Sequence, residues 1–491
     1  MAVLRSARPR VPRPLVPLLV ASLLLGVAWA AVVPPFQGPD ENDHFAYVQQ
    51  LAEAGSAPSP TRGSGAGSNS TQAQRALVDL GLLATMGNAD ARPAWGAAEL
   101  ERWSAFERAL PASGRADGGG PNPIAKNPPL YYGLTAVAYE ATPGDSLFAH
   151  LFASRLVGVL LFTATVALTW LAVSELTARA WARVLATGIV ALQPQLAFMA
   201  GIVNADILLV AIWTAFVALT IRTLKRGLTT ARVLGLFALG ALSPLTHGRG
   251  LALLPALAVV LGLVCWRHRP ALRRALAWGA GGAALLGAGL LAFRLFTSGT
   301  DGGGALYGGQ TGYIEQGGAS PGELLETVWR FYLPPLPGMG DRLGPAFGFR
   351  QMWVETFYGK FGWLDAGFPS RVYTLLQYGT VLLIGATVAA LAVRRRELRR
   401  EWTIVAALAA IGLSLVALVH LVSYLALIDT GDTLIVGRYG LPLVSLLALA
   451  IAFVATSLPR RLGPLLAAGL LALGVLLQLG GLGLTVVRFY G

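Results

Sequence analysis

Residues 14–33 read PLVPLLVASLLLGVAWAAVV, and residues 34–50 continue as PPFQGPDENDHFAYVQQ. The first segment has no charged residue and is close to the ~20 apolar residues that a helix needs to cross a bilayer. The second segment carries four titratable side chains within five positions: Asp40, Glu41, Asp43 and His44. Such groups are costly beside a bilayer unless they bind or react with something. We therefore predict a spanning helix followed by a functional segment; the alternative is a solvated loop in which Asp40 or Asn42 caps a surface helix.

The composition places the chain among membrane proteins. Hydrophobic residues make up 55% of the 491 residues and charged residues 13%, whereas soluble proteins have about 25% charged residues. The net charge of +13 does not indicate a nucleic-acid partner, because the basic residues lie in short clusters between apolar runs, as the positive-inside rule predicts. The single cysteine, Cys265, excludes an internal disulfide bond and a cysteine-based metal site.

Eleven apolar runs predict membrane-spanning helices. They are 14–33, 151–173, 181–199, 202–222, 231–246, 249–266, 275–296, 372–393, 403–427, 437–457 and 463–487. We predict an all-α polytopic membrane protein with about eleven transmembrane helices, in a range of ten to thirteen. Segment 128–142 is apolar but has only about 15 residues, so we expect a re-entrant or half-buried helix there.

Arginine clusters between the runs predict the orientation, because basic loops stay in the cytoplasm. They place the amino end in the cytoplasm, on a retained signal anchor, and the carboxyl end outside. We also expect membrane lipids as partners, in contact with the transmembrane helices. Five regions follow: a basic tail with the first helix (1–33), a first extracytoplasmic loop (34–127), a helical bundle (128–296), a second extracytoplasmic loop (297–371) and the C-terminal helices (372–491). Both large loops are expected to carry short helices.

Unusual polar residues gather at the predicted outer face. Besides the four after the first helix they are Lys126, Tyr131, Asn204, Asp206, His247, Arg249, Lys360, Trp363, Asp365 and Arg438. Asn204 and Asp206 are equally consistent with a helix cap, and His247 and Arg249 with a simple turn. The aromatic residues alone are typical of an interfacial belt. Arg438 indicates an anionic partner, because a cation near a helix start is unfavourable.

These residue types fit one kind of chemistry. A carboxylate serves as a general base, or as an oxygen ligand for Mg²⁺ or Mn²⁺, for which Asp40 and Asp206 are the candidates. Arginine and histidine can hold a phosphate leaving group. Glycosyl transfer from a polyprenyl-phosphate sugar needs both, since the base deprotonates an acceptor hydroxyl while the cations stabilise the developing phosphate charge. We expect no other cofactor.

Four motifs resemble those of a known family. They are Pro-Pro-Phe-Gln-x-Pro-Asp-Glu-x-x-His-Phe at 34–45, Val-Asn-Ala-Asp at 203–206, Phe-Tyr-Gly-Lys-Phe-Gly-Trp-Leu-Asp at 357–365 and Gly-Arg-Tyr-Gly-Leu-Pro at 437–442. A segment Asn-Pro-Pro-Leu-Tyr at 127–131 is similar to a re-entry segment of the same proteins. With these motifs the chain resembles integral-membrane glycosyltransferases of the GT-C superfamily, in a poorly characterised bacterial branch.

The resemblance implies an inverting glycosyltransferase of the bacterial cytoplasmic membrane with an extracytoplasmic active site. Its donor would be a lipid-linked sugar, and its acceptor a polysaccharide, a lipid or a protein. Asp40 would be the catalytic base with Glu41 as its partner, and Asp206 matches an acidic position that binds metal in some members. The expected substrate-binding residues are Asp43, His44, Lys126, Tyr131, Asn204, His247, Arg249, Lys360, Trp363, Asp365 and Arg438.

The sequence departs from the branch at two places. It has Asn42-Asp43 where a proline is usual after the acidic pair, and His247-Gly248-Arg249 where a lysine is usual. The main alternative function is a multi-pass transporter or flippase for a lipid-linked or anionic substrate, which predicts charges near the bilayer midplane and repeated halves. A non-catalytic scaffold for envelope assembly is a third reading. Most acidic residues lie at the outer edge, and this favours the transferase.

Overall fold

The computed structural model describes residues 11–59, 67–297, 319–333, 336–339, 350–430 and 436–491, which form an almost wholly helical molecule. The α-helices are α1 Leu15–Val32, α2 Glu41–Ala54, α3 Thr71–Asp79, α4 Leu82–Thr85, α5 Ala97–Ala109, α6 Ser113–Ala116, α7 Leu130–Glu140, α8 Leu147–Leu176, α9 Ala180–Ala191, α10 Pro194–Ala200, α11 Asp206–Arg226, α12 Thr230–Leu242, α13 Leu253–His268, α14 Leu272–Thr297, α15 Pro321–Tyr332, α16 Thr356–Tyr358, α17 Ser370–Val393, α18 Arg395–Leu398, α19 Trp402–Thr430, α20 Val444–Ser457 and α21 Leu462–Tyr490. Two 3₁₀ helices cover Gly248–Ala252 and Gly437–Leu443, and one π-helix covers Arg350–Glu355. Strands β1 (Lys360–Phe361) and β2 (Ala366–Gly367) pair antiparallel, with Lys360 opposite Gly367.

Nine helices in the described part of the chain are long and apolar enough to cross a membrane. They are Leu15–Val32, Leu147–Leu176, Asp206–Arg226, Gly248–His268, Leu272–Thr297, Ser370–Val393, Trp402–Ile428, Gly437–Ser457 and Leu462–Tyr490. The pair Ala180–Ala191 and Pro194–Ala200, bent by 55°, adds a tenth if it is counted as one span. The predicted all-α polytopic fold is thereby confirmed, with one or two spans fewer than the eleven expected.

Two local features explain the difference. The run 181–199 breaks because Pro194 starts a new helix and the Gln193 side chain caps it by accepting the Leu196 N–H. The run 231–246 forms only the 13-residue helix Thr230–Leu242, about 20 Å long against the ~30 Å hydrocarbon core. It ends just before Ser243-Pro244, because the residue before a proline disfavours helical geometry.

The short segment 128–142 forms the 11-residue helix α7. At 1.5 Å per residue it is about 16 Å long, too short to cross a bilayer. It packs against α2, where the rings of Tyr47 and Tyr132 stack with centroids 3.9 Å apart. The first loop, 34–127, carries the short helices α2 to α6, as the sequence predicts. Residues 298–318, 334–335 and 340–349 of the second loop lie outside the described residues.

The core lies along α8, which packs against α1, α9 and α11. Trp29 at the end of α1 is fully buried against Phe198 and Phe361, and its Nε1–H donates to Gln478 of α21 at 3.0 Å. The contact brings the 357–365 motif and the last helix against the first span. The end of α1, from which the charged segment starts, is therefore held from several sides.

Candidate functional site

The turn that presents Asp40 has an unusual backbone. Asp40 precedes α2 in the left-handed conformation, with φ 60° and ψ 13°, and its side chain caps no helix N–H. A non-glycine residue in this region costs of the order of 1–3 kcal/mol and persists only when its surroundings fix it. Its side chain keeps 44% of its surface exposed. The carboxylate is therefore held in place by the backbone while remaining accessible.

Glu41, the next residue, is held quite differently. Its side chain is fully buried in an ion pair with Arg155 of α8, in which Nε donates to Oε1 and Nη2 to Oε2, each at 2.7 Å. Oε1 also accepts the backbone N–H of Val203 at 3.0 Å. Both carboxylate oxygens are thus occupied, and the side chain does not line the cavity described below.

Arg155 has further partners at the end of α1. Nη1 donates to the carbonyl oxygens of Ala30 and Val33, and Nη2 donates to that of Pro34, at distances of 2.6–2.9 Å. These are carbonyl groups at the end of a helix, which lack partners within the helix. Arg155 therefore binds the carbonyl groups at the end of α1 and the Glu41 carboxylate at the start of α2 with one side chain.

Asn204 organises the start of α11 beside this pair. Its Oδ1 accepts the N–H of Asp206 at 2.9 Å, and its own N–H donates to the buried Tyr131 hydroxyl at 3.0 Å. Its Nδ2 donates to Nε2 of His44 at 3.1 Å, while Nδ1 of His44 lies 2.8 Å from the Tyr132 hydroxyl. Tyr131 is thus a buried support, and Asn204 connects α2 to α11.

Asp206 forms the second ion pair of this region. Its Oδ1 accepts from Nη2 of Arg249 at 2.5 Å, and both side chains are over 90% buried. The Arg249 guanidinium lies over the Tyr439 ring, 3.8 Å from its centroid. Gly250 lets the 3₁₀ turn approach closely, because a Cβ there would lie 2.0 Å from the Ser243 carbonyl oxygen. Asp206 is therefore neutralised within the wall of the site.

Arg438 enters from the far end of the chain. Gly437 places it, since a Cβ at that position would lie 2.2 Å from the Trp353 carbonyl oxygen. Nη2 of Arg438 lies 3.4 Å from Oδ2 of Asp40, a long contact for an ion pair. Its Nε and Nη1 are buried and have no hydrogen-bond partner within the described part of the chain. Buried donors of this kind are costly to leave unsatisfied.

These residues enclose a cavity of about 180 Å³. It is lined by Asp40, His44, Ile124, Lys126, Asn127, Asn204, Asp206, His247, Arg249, Val419, Val422, Arg438 and Tyr439. Three of these side chains are cationic and two are carboxylates, so with neutral histidines the lining carries an excess of one positive charge. On one side, the valines of α19 give it an apolar wall.

Both histidines of the lining are neutral at pH 7. Burial lowers the pKa of His44 to about 4. Burial, and then the charge of Arg249, lower the pKa of His247 well below its ordinary value. Burial also lowers the pKa of Lys126. The positive potential of the cavity therefore comes from the arginines and the lysine.

The donor set fits a divalent metal poorly. Asp206 is already paired with Arg249, and three cations line the same cavity as Asp40. Among the described residues, no three His, Cys, Asp or Glu side chains form a group that could hold a metal ion. A Mg²⁺ or Mn²⁺ site at Asp40 and Asp206 remains a prediction, and no step below depends on it.

A family model described as "Predicted membrane protein (DUF2142)" matches residues 23–447. The chain belongs to this family. No curated protein matches this DUF2142 chain. In fold it is similar to the solved structure of ArnT from Cupriavidus metallidurans bound to undecaprenyl phosphate, with 14% identity and a TM-score of 0.41 over 94% of this chain and 62% of that one. It is also similar to the Archaeoglobus fulgidus oligosaccharyltransferase in the apo form, with 12% identity and a TM-score of 0.43 over 96% of this chain and 55% of that one.

The DUF2142 chain spans about three fifths of the length of these two proteins. Of its sequence-predicted site residues, eight line the cavity: Asp40, His44, Lys126, Asn204, Asp206, His247, Arg249 and Arg438. The other six do not: Glu41, Asp43, Tyr131, Lys360, Trp363 and Asp365. Asp43 accepts hydrogen bonds from Asn42 and Ser68 at 3.0 and 3.3 Å on another side of α2.

The second-loop motif supports the DUF2142 site from outside. Nζ of Lys360 lies 3.5 Å from Oε2 of Glu355. Nε1 of Trp363 donates to the carbonyl oxygen of Phe36 at 3.0 Å. Asp365 pairs with Arg488 of the last helix at 2.6 Å. Trp363 thereby contacts the turn after α1, whereas the Asp365–Arg488 pair fixes the end of α21. In the structure they are framework residues.

Arg155 is the residue that sequence reasoning missed. It lies inside the apolar run 151–173, and an ionisable residue within a span is itself a signal of function or pairing. Asn127 and Tyr439 stand within motifs that were recognised, yet nothing in the sequence singled them out as lining residues. Val419 and Val422 carry no signal that separates them from the other apolar residues of α19.

Proposed function

We propose that the protein is an inverting glycosyltransferase that moves a sugar from a polyprenyl-phosphate donor to an acceptor hydroxyl at the outer face of the bacterial cytoplasmic membrane. One observation carries the proposal. The Arg438 guanidinium, with two buried donors that have no described partner, lies beside the accessible Asp40 carboxylate. A phosphate acceptor and a base are thereby offered in one cavity. The motifs that resemble the GT-C superfamily support the same reading.

The donor phosphate fits the cationic side of the cavity. Nε and Nη1 of Arg438 are buried donors without a described partner, and charge-assisted hydrogen bonds from a guanidinium suit phosphate oxygens. Lys126 adds a further positive charge from the first loop. A phosphodiester carries one negative charge, and the released polyprenyl phosphate carries up to two. The cations therefore stabilise the leaving group more than the bound donor, which is how such groups accelerate a reaction.

Asp40 is positioned for the proton transfer. An acceptor hydroxyl attacks the anomeric carbon from the face opposite the phosphate, and a new C–O bond forms while the bond from carbon to the phosphate oxygen breaks. The hydroxyl proton goes to the Asp40 carboxylate, and the electron pair of the broken bond stays on the polyprenyl phosphate. Asp40 suits this role because its side chain is 44% exposed and only weakly paired.

The cavity accommodates a headgroup better than a whole lipid. Its volume of about 180 Å³ lies below the ~300–1,000 Å³ usual for pockets that enclose a drug-sized ligand. The polyprenyl chain would therefore remain outside the cavity, and the apolar side formed by Val419 and Val422 would contact only the part of the donor nearest the phosphate. This arrangement leaves the anomeric carbon near the half-exposed carboxylate.

Membranes that contain the full-length protein provide the test. They are incubated with a panel of radiolabelled polyprenyl-phosphate sugars, and transferred label and released polyprenyl phosphate are both measured. We expect one donor to give stoichiometric transfer and release in the wild type, and neither in Asp40→Asn. Asparagine keeps the shape of the residue and tolerates the left-handed backbone, so this variant isolates the loss of the base.

Three results would overturn the proposal. One is equal transfer by the wild type and Asp40→Asn, and another is no transfer from any donor by membranes that contain folded protein. The third is movement of an intact labelled donor across the bilayer without cleavage, which would favour the flippase reading. Immunoblotting and thermal stability of the purified variant show that both proteins are present and folded.

A further inference from the structure

We infer that Arg155 and Glu41 form a positioning pair, which fixes the two cavity carboxylates relative to each other without touching substrate. The inference rests on the proposed function for its kinetic consequence, because Asp40 acts in that reaction. Glu41 follows Asp40 directly in the chain, and its Oε1 accepts the N–H of Val203. Val203 begins the segment that leads to Asp206. One buried carboxylate thus bridges the segments that carry both cavity carboxylates.

All hydrogen-bonding groups of this pair are already occupied by protein partners. The five N–H donors of the Arg155 guanidinium point to five acceptors: two oxygens of Glu41 and the carbonyl oxygens of Ala30, Val33 and Pro34. Glu41 is fully buried, and all its described partners are donors. The pair can neither take a proton from an acceptor nor bind a phosphate. Its position is what links it to the reaction.

The ion pair also stabilises the left-handed backbone conformation of Asp40. Asp40 stands between the Pro34 carbonyl, which Arg155 binds, and Glu41, which Arg155 also binds. Both sides of the strained residue are therefore anchored to one side chain of α8. Lysine is a point charge with three donors, so it cannot reproduce this five-donor arrangement.

A second arginine in the molecule supplies a matched control. Arg488 of α21 is equally buried, pairs with Asp365 through Nε at 2.7 Å, and donates to the carbonyl oxygens of Thr85, Asn88 and Ala91. It has the same chemistry and the same kind of partners. None of these residues lines the cavity. Arg488→Lys therefore reproduces the loss of a buried arginine network away from the reaction.

The experiment compares Arg155→Lys with Arg488→Lys in the full-length protein in lipid nanodiscs. We expect both to lower the melting temperature to a similar extent. Only Arg155→Lys should lower kcat for sugar transfer, by about 10–100-fold, with KM for the donor changed by less than about threefold, since a misplaced base affects the transition state more than donor binding. Equal losses of kcat in both variants, or a loss confined to stability, would overturn the inference.

Hydrogen–deuterium exchange separates this inference from the proposed function. In Arg155→Lys, peptides that cover 34–44 and 201–206 should exchange faster than in the wild type, because both segments lose their common anchor. In Arg488→Lys they should be unchanged. If the wild type transfers no sugar but the exchange result holds, the proposed function fails and the positioning pair stands. Unchanged exchange in both peptides of Arg155→Lys would overturn the pair whatever the activity.

Discussion

Asp40 and Asp206 line the same cavity, yet the fold treats them in opposite ways. Asp206 is 7% exposed and is paired at 2.5 Å with Arg249, itself packed on the Tyr439 ring. Asp40 is 44% exposed, sits on a strained backbone and has its cation 3.4 Å away. The difference teaches that residue type alone does not define a catalytic carboxylate. The carboxylate that we propose as the base is the one without a close ion-pair partner, and the other forms part of the cavity wall.

Asp40→Asn should have the largest effect on sugar transfer. If Asp40 is the base, transfer should fall by about 10²–10⁴-fold, the usual contribution of a general base. The melting temperature should stay within about 2 °C of the wild type, because the residue has no tight partner to lose. Initial rates with the labelled donor and a thermal melt measure both quantities. If Asp40→Asn instead lowered the melting temperature and left transfer unchanged, Asp40 would be a structural residue and not the base.

Arg438→Gln addresses the cation beside Asp40. A hydrogen bond to a charged group contributes about 1.5–3 kcal/mol, so we expect KM for the lipid-phosphate donor to rise by about 10–100-fold. Titration of undecaprenyl phosphate as a competing ligand measures the same loss as a binding constant. Arg371→Gln, which changes an exposed arginine at the start of α17, is the control. An equal effect in the control would indicate general attraction of anions rather than a phosphate site.

Asp206→Asn should act mainly on stability. It leaves the Arg249 guanidinium buried without its counter-ion, a change that typically costs about 3–5 kcal/mol. We expect a clear fall in the melting temperature in detergent. Asp206→Asn/Arg249→Gln should recover part of it, because no buried charge is then unpaired. A fully stable Asp206→Asn that lacks transfer would instead make Asp206 a catalytic group.

Asp43, the third carboxylate of segment 34–50, should make the stability of the protein depend on pH. Burial, and then the charge of Asp40, raise its pKa to about 6. A folded-state pKa above the unfolded value adds stability that is complete below pH 3.8 and is lost as the pH rises through about 6. Asp43→Asn should therefore raise the melting temperature by about 1–2 °C at pH 7.5, by roughly half as much at pH 5 and hardly at all below pH 3.8. Asp90→Asn, which removes an exposed carboxylate, is the control variant.

Metal removal should have the smallest effect. Because Asp206 is paired and three cations line the cavity, we expect transfer rates in EDTA to equal those in buffer within error. Addition of Mg²⁺ or Mn²⁺ after chelation should likewise leave the rates unchanged. A requirement for either ion would mean that Asp206 leaves Arg249 during the reaction, and it would restore the metal site that the sequence predicts.

The sequence was sufficient for the membrane fold and for most of the cavity lining. Most apolar runs form spans, the exceptions being 181–199 and 231–246, which proline residues interrupt or shorten. Placing the ends of the runs on one face grouped Asp40, Asp206, Arg249 and Arg438. It was insufficient where a motif residue could face either way: Lys360 and Asp365 were expected to bind substrate, but in the structure they pair with Glu355 and Arg488 and do not line the cavity. Pairing is a property of three-dimensional packing, and no spacing rule connects Glu41 with Arg155, 114 residues later.

Arg438 follows Asp40 by 398 residues, and this separation has a consequence for biogenesis. Chains enter the membrane from the amino end as they are synthesised. The Glu41–Arg155 pair can form once α8 is in place, and the Asp206–Arg249 pair once α13 begins. Arg438, which we propose to bind the phosphate, arrives only with the helix that starts at Gly437. If the proposed function holds, a nascent chain that has inserted only its earlier helices cannot bind the donor phosphate, so ribosome-bound intermediates that lack this late span should be inactive.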